Sequence, residues 1–148
     1  MTLDETDIEL IKELKKDARQ PYREIAQKLG VAEGTVHNRV AKLQEQGIIK
    51  RFIPDIDYSK LGYDLTTVVG VTVQGGRLPD VEEMISKEPN VSAVYDVTGE
   101  YDCIFIARFK TREELNLLIK RILSIKHVNR SQTMLVLNTV KDKHGVDL

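Results

Sequence analysis

The spacing of apolar residues changes partway along this chain, and this change restricts the possible folds more than any other feature. In the first part, apolar residues recur every three or four positions, which is typical of amphipathic helices. In the rest, short apolar runs alternate with helical patterns, which is typical of a sheet packed against helices. The segment DYSKLGYD separates the two patterns. The sequence therefore predicts an α+β chain with one domain at residues 1–56, a linker at 57–63 and a second domain at 64–148.

The first domain contains three predicted helices. Asp4 is a typical N-cap, so the first helix covers residues 4–18. Pro21 begins the second helix, Gly30 ends it, and the third covers residues 32–46. Their apolar positions are, in order, Ile8, Ile11, Leu14 and Ala18; Ile25, Ala26 and Leu29; and Val36, Val40 and Leu43.

Two short helices joined by a glycine turn are typical of a helix-turn-helix. The following segment IIKRFIPDI alternates in character and is broken by Pro54, so it predicts a short edge strand at residues 48–56. Together they predict a winged-type helix-turn-helix domain. Helix pairs of this kind also occur as plain packing units, so the outer surface of the third helix must decide its function.

The second domain has the order βαββαβ, a ferredoxin-like arrangement. Its helices are predicted from Val81, Met84 and Ile85, and from Leu115, Leu118, Ile119 and Ile122. Both helices cover one face of the sheet in this topology. The strands TVVGVTV and CIFIA are nevertheless apolar on both sides, whereas a strand facing water alternates. We expect a second copy of the chain to cover the open face; a loop or the first domain is the alternative.

Composition excludes several classes of protein. No apolar run approaches the roughly 18 residues of a membrane span, and the acidic start MTLDETDIEL does not resemble a signal segment, so we expect a cytoplasmic protein without membrane contact. The single cysteine, Cys103, lies in an apolar run and is expected in a core strand. The three histidines are scattered without ligand spacing. The sequence therefore predicts no metal site, no cofactor and no catalytic residues.

Charge is sorted along the first domain. Residues 1–14 contain five acids and one base, whereas residues 15–51 contain nine bases and four acids. A local basic excess of this kind is typical of proteins that bind polyanions, although lysine-rich helix faces are often only solvated.

The face of the third helix opposite its apolar stripe carries small and polar side chains. Asn38 suits adenine, and Thr35 suits a base edge or a thymine methyl group. Gly34 costs about 1 kcal/mol against alanine within a helix, so we expect a large partner to approach its backbone closely. The predicted base contacts are Gly34, Thr35 and Asn38, His37 would reach a base or a phosphate, and the predicted phosphate contacts are Arg23, Arg39, Lys42 and Arg51. Ordinary solvated positions are the alternative for each residue.

Nearly the whole chain resembles the Lrp/AsnC group of feast/famine transcription regulators. The resemblance rests on the pattern TV-x-x-R-x-x-x-L-x-x-x-G-I-I at residues 35–49, followed by the βαββαβ half with VTGEYD. It implies a DNA-binding helix-turn-helix, dimers formed sheet to sheet that often build octamers, and amino acids bound between dimers. Pro21 and Ala32 depart from the family, which often has a capping serine or threonine at these two positions.

The segment TGEYD, residues 98–102, is the predicted effector site. Gly99 permits positive φ and exposes backbone N–H groups to a carboxylate, and Asp102 suits an ammonium group, as a free amino acid requires. The resemblance implies that the effector-binding residues are Thr98, Gly99, Glu100, Tyr101, Asp102 and Thr133. A simple hairpin turn with a solvated aspartate is the alternative.

The sequence thus predicts a sequence-specific transcription regulator and not an enzyme: a dimer or octamer that binds double-stranded DNA and responds to an amino acid. Two alternatives remain. One is an enzyme: sirohaem decarboxylases resemble the same architecture but need basic and histidine residues to hold their macrocycle. The other is an interaction module whose third helix docks on another protein instead of DNA.

Overall fold

The computed structural model describes residues 3–143 and 145–148, and it divides into two compact units. The first contains the chain up to Asp55 together with the end of the chain from Lys143, and the second contains Ile56–Asp142. The sequence placed these last residues in the second domain. In the structure, Lys15 Nζ donates a hydrogen bond to the backbone carbonyl of Val146, which lies in the first unit.

The first unit contains three helices: α1 Glu5–Lys16, α2 Tyr22–Leu29 and α3 Glu33–Glu45. Asp4 caps the α1 helix as predicted, but the helix ends two residues before its predicted end, and Ala18 is exposed instead of buried. The cause is local. Asp17 is extended, and its carboxylate accepts a hydrogen bond from the Arg19 N–H at 2.8 Å, so the side chain closes a turn that competes with the helix.

The core of the first unit contains Leu10, Leu14, Ile25, Ala26, Val36, Val40 and Leu43. Leu10, which the predicted apolar stripe of α1 did not include, is fully buried. Gly30 ends α2 with a φ of 65°, in the left-handed region that glycine adopts without strain, and so provides the turn into α3.

The predicted edge strand at residues 48–56 was wrong, because this segment forms no strand in the part of the chain that the structure describes. The N–H groups of Ile48 and Ile49 both donate to the Leu43 carbonyl, at 2.9 and 3.1 Å, and so close the end of α3. Alternation of apolar and polar residues shows which side chains could share a face of a strand, but a strand also needs a neighbouring strand to pair with. Phe52 and Ile53 are exposed.

The predicted linker forms part of the second unit. A short 3₁₀ helix covers Tyr58–Leu61 and is capped by Asp57. The Arg108 guanidinium lies 5.4 Å from the centre of the Tyr58 ring, and Lys110 Nζ lies 4.9 Å from the centre of the Tyr63 ring. These cation–π contacts hold the segment to the end of a strand.

The second unit has the predicted order βαββαβ. Its elements are β1 Leu65–Val73, α4 Leu78–Ser86, β2 Val91–Asp96, β3 Cys103–Phe109, α5 Arg112–Ser124 and β4 Val128–Leu135. The sheet order is β2-β3-β1-β4, and all three pairings are antiparallel. The prediction of an α+β fold with a four-stranded sheet is confirmed.

One face of the sheet packs on the helices. Its buried residues include Val69, Val71, Phe105, Leu118 and Ile122. Met84 was predicted in this core but is 51% exposed, because Val81 and Ile85 are the residues of α4 that face the sheet.

The other face of the sheet is apolar, as the sequence indicated, and no described helix of the second unit covers it. Val68 at its centre pairs with Ile106 on one side and Met134 on the other. Ile104 and Tyr95 continue this open face toward β2, where the Tyr95 side chain is 54% exposed. An apolar face of this kind is suited to burial against another surface.

Candidate nucleic-acid interface and ligand loop

The predicted contact face of α3 is open to solvent. Gly34, Asn38 and Lys42 are exposed, Ala41 between them is also exposed, and Thr35 is half-buried. Val36, Val40 and Leu43 on the opposite side are buried in the core. The helix therefore presents a narrow, polar surface with small residues near its N-terminal end.

Among the described residues, no contact requires glycine at position 34. A Cβ atom built there would have no neighbour within 4 Å apart from the adjoining residues and backbone of its own helix, and the residue lies inside the regular helix α3. Alanine would therefore fit and would favour the helix. The glycine is better explained by something outside the chain.

The His37 ring is exposed but held in place. Its ring centre lies 4.6 Å from that of Tyr22 on α2, in an edge-to-face arrangement. Its Nε2 atom lies 3.9 Å from Glu33 Oε1 on the same helix face. His37 is therefore oriented by both helices of the helix-turn-helix.

The structure pairs Arg39, a predicted phosphate contact, with two acids of the protein. Its Nη1 atom lies 2.7 Å from Asp4 Oδ2 and 2.6 Å from Asp7 Oδ1, and its side chain is only 27% exposed. Hydrogen bonding to this guanidinium holds the pKa of Asp4 below its ordinary value, and the carboxylates raise the pKa of Arg39. The guanidinium that the sequence assigned to a phosphate is thus engaged by two carboxylates of the protein.

Three other predicted phosphate contacts remain available. Arg23, Lys42 and Arg51 are exposed, and none of them forms an ion pair with another described residue. Arg23 lies on α2, Lys42 on α3, and Arg51 in the segment after α3. Each has a free cation that can meet an anion.

The ligand loop, residues 97–102, connects β2 to β3. Thr98, Gly99 and Glu100 are exposed, and Gly99 has a φ of 122°, which a side chain would strain. The Glu100 carboxylate lies 2.9 Å from Arg130 Nη2 on β4. The loop is thus held at one end of the sheet.

Asp102 fixes the end of this loop. Its Oδ2 atom accepts a hydrogen bond from the Val73 N–H at 2.7 Å, and its own N–H donates to the Val71 carbonyl at 3.0 Å. The residue is nevertheless exposed. One carboxylate oxygen is therefore oriented by β1, and the group presents its charge at the surface.

The structure does not bring all predicted effector residues together in one chain. The Tyr101 ring lies on the open face, where a Cβ added to Gly70 would come within 2.6 Å of it, and its hydroxyl donates to Gln132. Thr133 pairs with Val69, whose side chain is in the helix-covered core, so Thr133 lies on the opposite face from Tyr101. Cross-strand register, which the sequence does not reveal, makes this difference.

An acidic environment surrounds Cys103. Burial, followed by the charges of Glu82, Asp96 and Asp102, raises the pKa of the Cys103 thiol to about 11, so it stays protonated at neutral pH. Burial and Asp96 also raise the pKa of Glu82, whose Oε1 atom accepts no hydrogen bond from the described residues. The sequence indicated the buried cysteine but gave no signal for Glu82.

The described residues contain neither a metal-binding cluster nor a membrane-spanning helix. No group of His, Cys, Asp or Glu residues there is arranged to hold a metal ion. No helix of residues 3–143 and 145–148 is long and apolar enough to span a membrane.

Comparison with known proteins identifies the family. The Lrp/AsnC ligand binding domain matches residues 66–146, and a winged helix-turn-helix DNA-binding domain matches residues 3–50. The chain belongs to the Lrp/AsnC family. It is a DNA-binding transcriptional regulator with a ligand-binding domain, and members of this family are regulators and not enzymes.

Individual relatives agree with this membership. An uncharacterised HTH-type transcriptional regulator of Pyrococcus abyssi is 48% identical over 140 residues, covering 95% of each chain. The HTH-type transcriptional regulator FL11 of Pyrococcus horikoshii is 41% identical, covering 95% of this chain and 93% of its own. The structure of Escherichia coli AsnC is similar with a TM-score of 0.91 and 26% identity, covering 97% of this chain and 98% of that one.

One further structural neighbour shares the fold. It is a transcriptional regulator of Neisseria meningitidis in complex with L-Met, with a TM-score of 0.89 and 21% identity, covering 99% of this chain and 97% of its own.

Proposed function

We propose that this Lrp/AsnC regulator reads a specific DNA sequence by inserting α3 into the major groove. Gly34, Thr35 and Asn38 contact base edges, and His37 contacts a base or a phosphate. Arg23, Lys42 and Arg51 neutralise phosphates and position the helix without specifying sequence. The proposal rests mainly on one observation: the exposed face of α3 carries a glycine that no contact among the described residues requires.

We propose further that two copies of the chain pack through the open face of the sheet to form a homodimer. The protein would act as this dimer or as an octamer of four such dimers. Val68, Ile104, Ile106, Tyr95 and Met134 form an apolar surface that a second copy would bury. A two-fold dimer would place two α3 helices in the major groove of a pseudo-palindromic site. The half-site centres would then lie about 34 to 36 Å apart, or a multiple of this distance.

The proposed effector is a free amino acid bound at the ligand loop. Exposed N–H groups near Gly99 suit its carboxylate, and the Asp102 carboxylate suits its ammonium group. The family's ligand-binding domain and the L-Met bound to the Neisseria meningitidis regulator support this class of ligand. Because Thr133 and Tyr101 lie on opposite faces, residues of a second chain would complete the side-chain pocket.

The effector would regulate by shifting an equilibrium between assemblies. A ligand can do so only to the extent that its affinity differs between the two states. The output would be repression or activation through DNA occupancy, in the cytoplasm and without chemistry on a substrate.

Selection of bound duplexes from random DNA tests this function. We expect enrichment of a pseudo-palindromic sequence, and a change in enrichment or in particle mass when the twenty amino acids are added. Recovery of unrelated sequences in every condition would refute sequence-specific recognition. An unchanged selection and unchanged mass with all twenty amino acids would refute the proposed effector class.

A further inference from the structure

One guanidinium connects the middle of α3 to the first turn of α1. Arg39 Nη1 contacts both carboxylates there, at 2.7 Å from Asp4 Oδ2 and 2.6 Å from Asp7 Oδ1. The same two acids form the capping box of α1: the Asp7 N–H donates to Asp4 Oδ1 at 2.8 Å, and the Asp4 N–H donates to Asp7 Oδ2 at 3.1 Å. The cap of one helix is therefore also the anchor of another.

This anchor is partly withdrawn from water. The Asp7 side chain is 9% exposed and the Arg39 side chain is 27% exposed, whereas the Asp4 side chain is 53% exposed. Arg39 Nε is buried and donates no hydrogen bond to the described residues. Charge-assisted bonds at buried sites are stronger than those at the surface, and loss of one partner leaves a buried charge uncompensated. The contact therefore restricts the helices more than an exposed ion pair would.

The position of Arg39 on α3 connects this anchor to DNA recognition. Asn38 is its immediate neighbour, Thr35 lies one turn before it, and Lys42 lies about one turn after it. A rotation of α3 about its axis would move all three side chains relative to a bound duplex. Misplacement of about 1 Å is enough to weaken directional contacts.

We propose that Asp4, Asp7 and Arg39 form a clamp that fixes the rotation of α3, so that Arg39 is a positioning residue for sequence recognition and not a phosphate contact. This inference rests on the proposed role of α3 in the major groove. The clamp gives Asp4 and Asp7 a role in sequence recognition, although negative charges are otherwise unfavourable on a DNA-binding surface.

Electrostatics and positioning predict opposite effects for the acids. Removing a negative charge from a DNA-binding domain tightens binding to every duplex if that charge has no other role, and it would also release Arg39 toward a phosphate. The clamp instead requires that Asp7→Asn weaken binding to the selected duplex. The sign of this change therefore separates the two explanations.

The test is a double-mutant cycle on the full-length protein, with Asp7→Asn, Arg39→Gln and both together. Affinities for a duplex selected from random DNA and for a scrambled duplex are measured over a range of salt concentrations. We expect each single substitution to weaken selected binding about tenfold, the double to be no worse than either single, and the salt slope to stay unchanged. Asp4→Asn, which retains a good N-cap, should show a smaller loss in the same direction.

Glu13→Gln is the matched control, because it removes an acid that joins α1 to α2 through Lys28 and forms no ion pair with a described residue of α3. It should leave the ratio of selected to scrambled affinity unchanged. Tighter binding by Asp7→Asn and Asp4→Asn, or a salt slope reduced by about one unit in Arg39→Gln, would overturn the clamp. A wild-type protein that bound both duplexes equally would refute the role of α3 itself.

Discussion

At the scale of single residues, the face of α3 is chemically simple, and each of its residues makes a distinct prediction. Small side chains permit close approach, Asn38 offers a paired donor and acceptor, and Lys42 offers a charge. The sequence was sufficient to identify this face because helical periodicity separates it from Val36, Val40 and Leu43. It did not indicate that Arg39 pairs with Asp7 and Asp4, because these acids are 32 and 35 residues away in the chain.

Gly34→Ala should separate stability from binding. The added methyl group has no neighbour within 4 Å, so the free energy of unfolding should rise by up to about 1 kcal/mol. The same methyl group would keep a duplex at a distance, so affinity for the selected duplex should fall. Thermal unfolding and DNA titration of one preparation measure both. Unchanged affinity in a stabilised variant would contradict close approach at Gly34.

Replacing Asn38 by alanine should reduce sequence discrimination, whereas replacing Lys42 by alanine should reduce overall DNA affinity. Asn38→Ala should reduce discrimination at one base pair by about 1 to 3 kcal/mol. Lys42→Ala should weaken all duplexes similarly and reduce the salt slope by about one unit. Titration of single-base-pair variants of the selected duplex distinguishes them. Equal losses on selected and scrambled DNA for Asn38→Ala would refute its role as a base contact.

At the scale of elements, local side-chain bonds and the presence of a neighbouring strand determine details that periodicity cannot. The order βαββαβ was predicted from short apolar runs that alternate with helical patterns along the chain, and the structure has this order. The end of α1 was wrong because the Asp17 side chain closes a turn there, and the strand at residues 48–56 was wrong because a strand needs a neighbour. Neither a local side-chain bond nor a missing partner appears in a hydrophobic pattern.

Glu13 should make the junction of α1 and α2 sensitive to acid. Hydrogen bonds from Lys16 and then Lys28 lower the pKa of Glu13 to about 2, from an ordinary value of 4.5. A depressed carboxyl pKa stabilises the fold fully above about pH 4.5 and loses this effect as the pH falls toward 2. Glu13→Gln should therefore lower the unfolding temperature at neutral pH, and its difference from wild type should shrink as the pH falls toward 2.

Glu9→Gln provides the comparison for this pH series. Glu9 pairs with Lys12 at 2.7 Å within α1, and its side chain is 47% exposed, so its removal should change the unfolding temperature little. A difference between Glu13→Gln and wild type that stayed constant from neutral pH down to about 2 would contradict the assigned ion pair.

At the scale of the whole molecule, the chain leaves an apolar sheet face that the described residues do not cover with a helix. The sequence indicated this face, since its central strands are apolar on both sides, but it could not show cross-strand register. Register is what places Val68 between Ile106 and Met134, and Thr133 away from Tyr101. Contacts between chains lie beyond what either hydrophobic pattern or register decides.

A charge at the centre of the open face should prevent assembly. Ile106→Glu would have to bury its carboxylate against a second copy, which is costly, whereas the separate chain can leave it partly in water. We expect the sedimentation mass to fall to that of one 16.8 kDa chain. Met84→Glu, at an exposed apolar position on α4, is the control and should keep the dimer. A dimer retained by Ile106→Glu would place the interface elsewhere.

The central claim is that α3 reads DNA sequence, and the most direct measurement is the affinity of the wild-type protein for selected and scrambled duplexes as salt rises. We predict that the selected duplex binds at least about a thousandfold more tightly, with both affinities falling linearly on logarithmic axes as phosphate contacts are screened. Equal affinity for the two duplexes at every salt concentration would contradict the account.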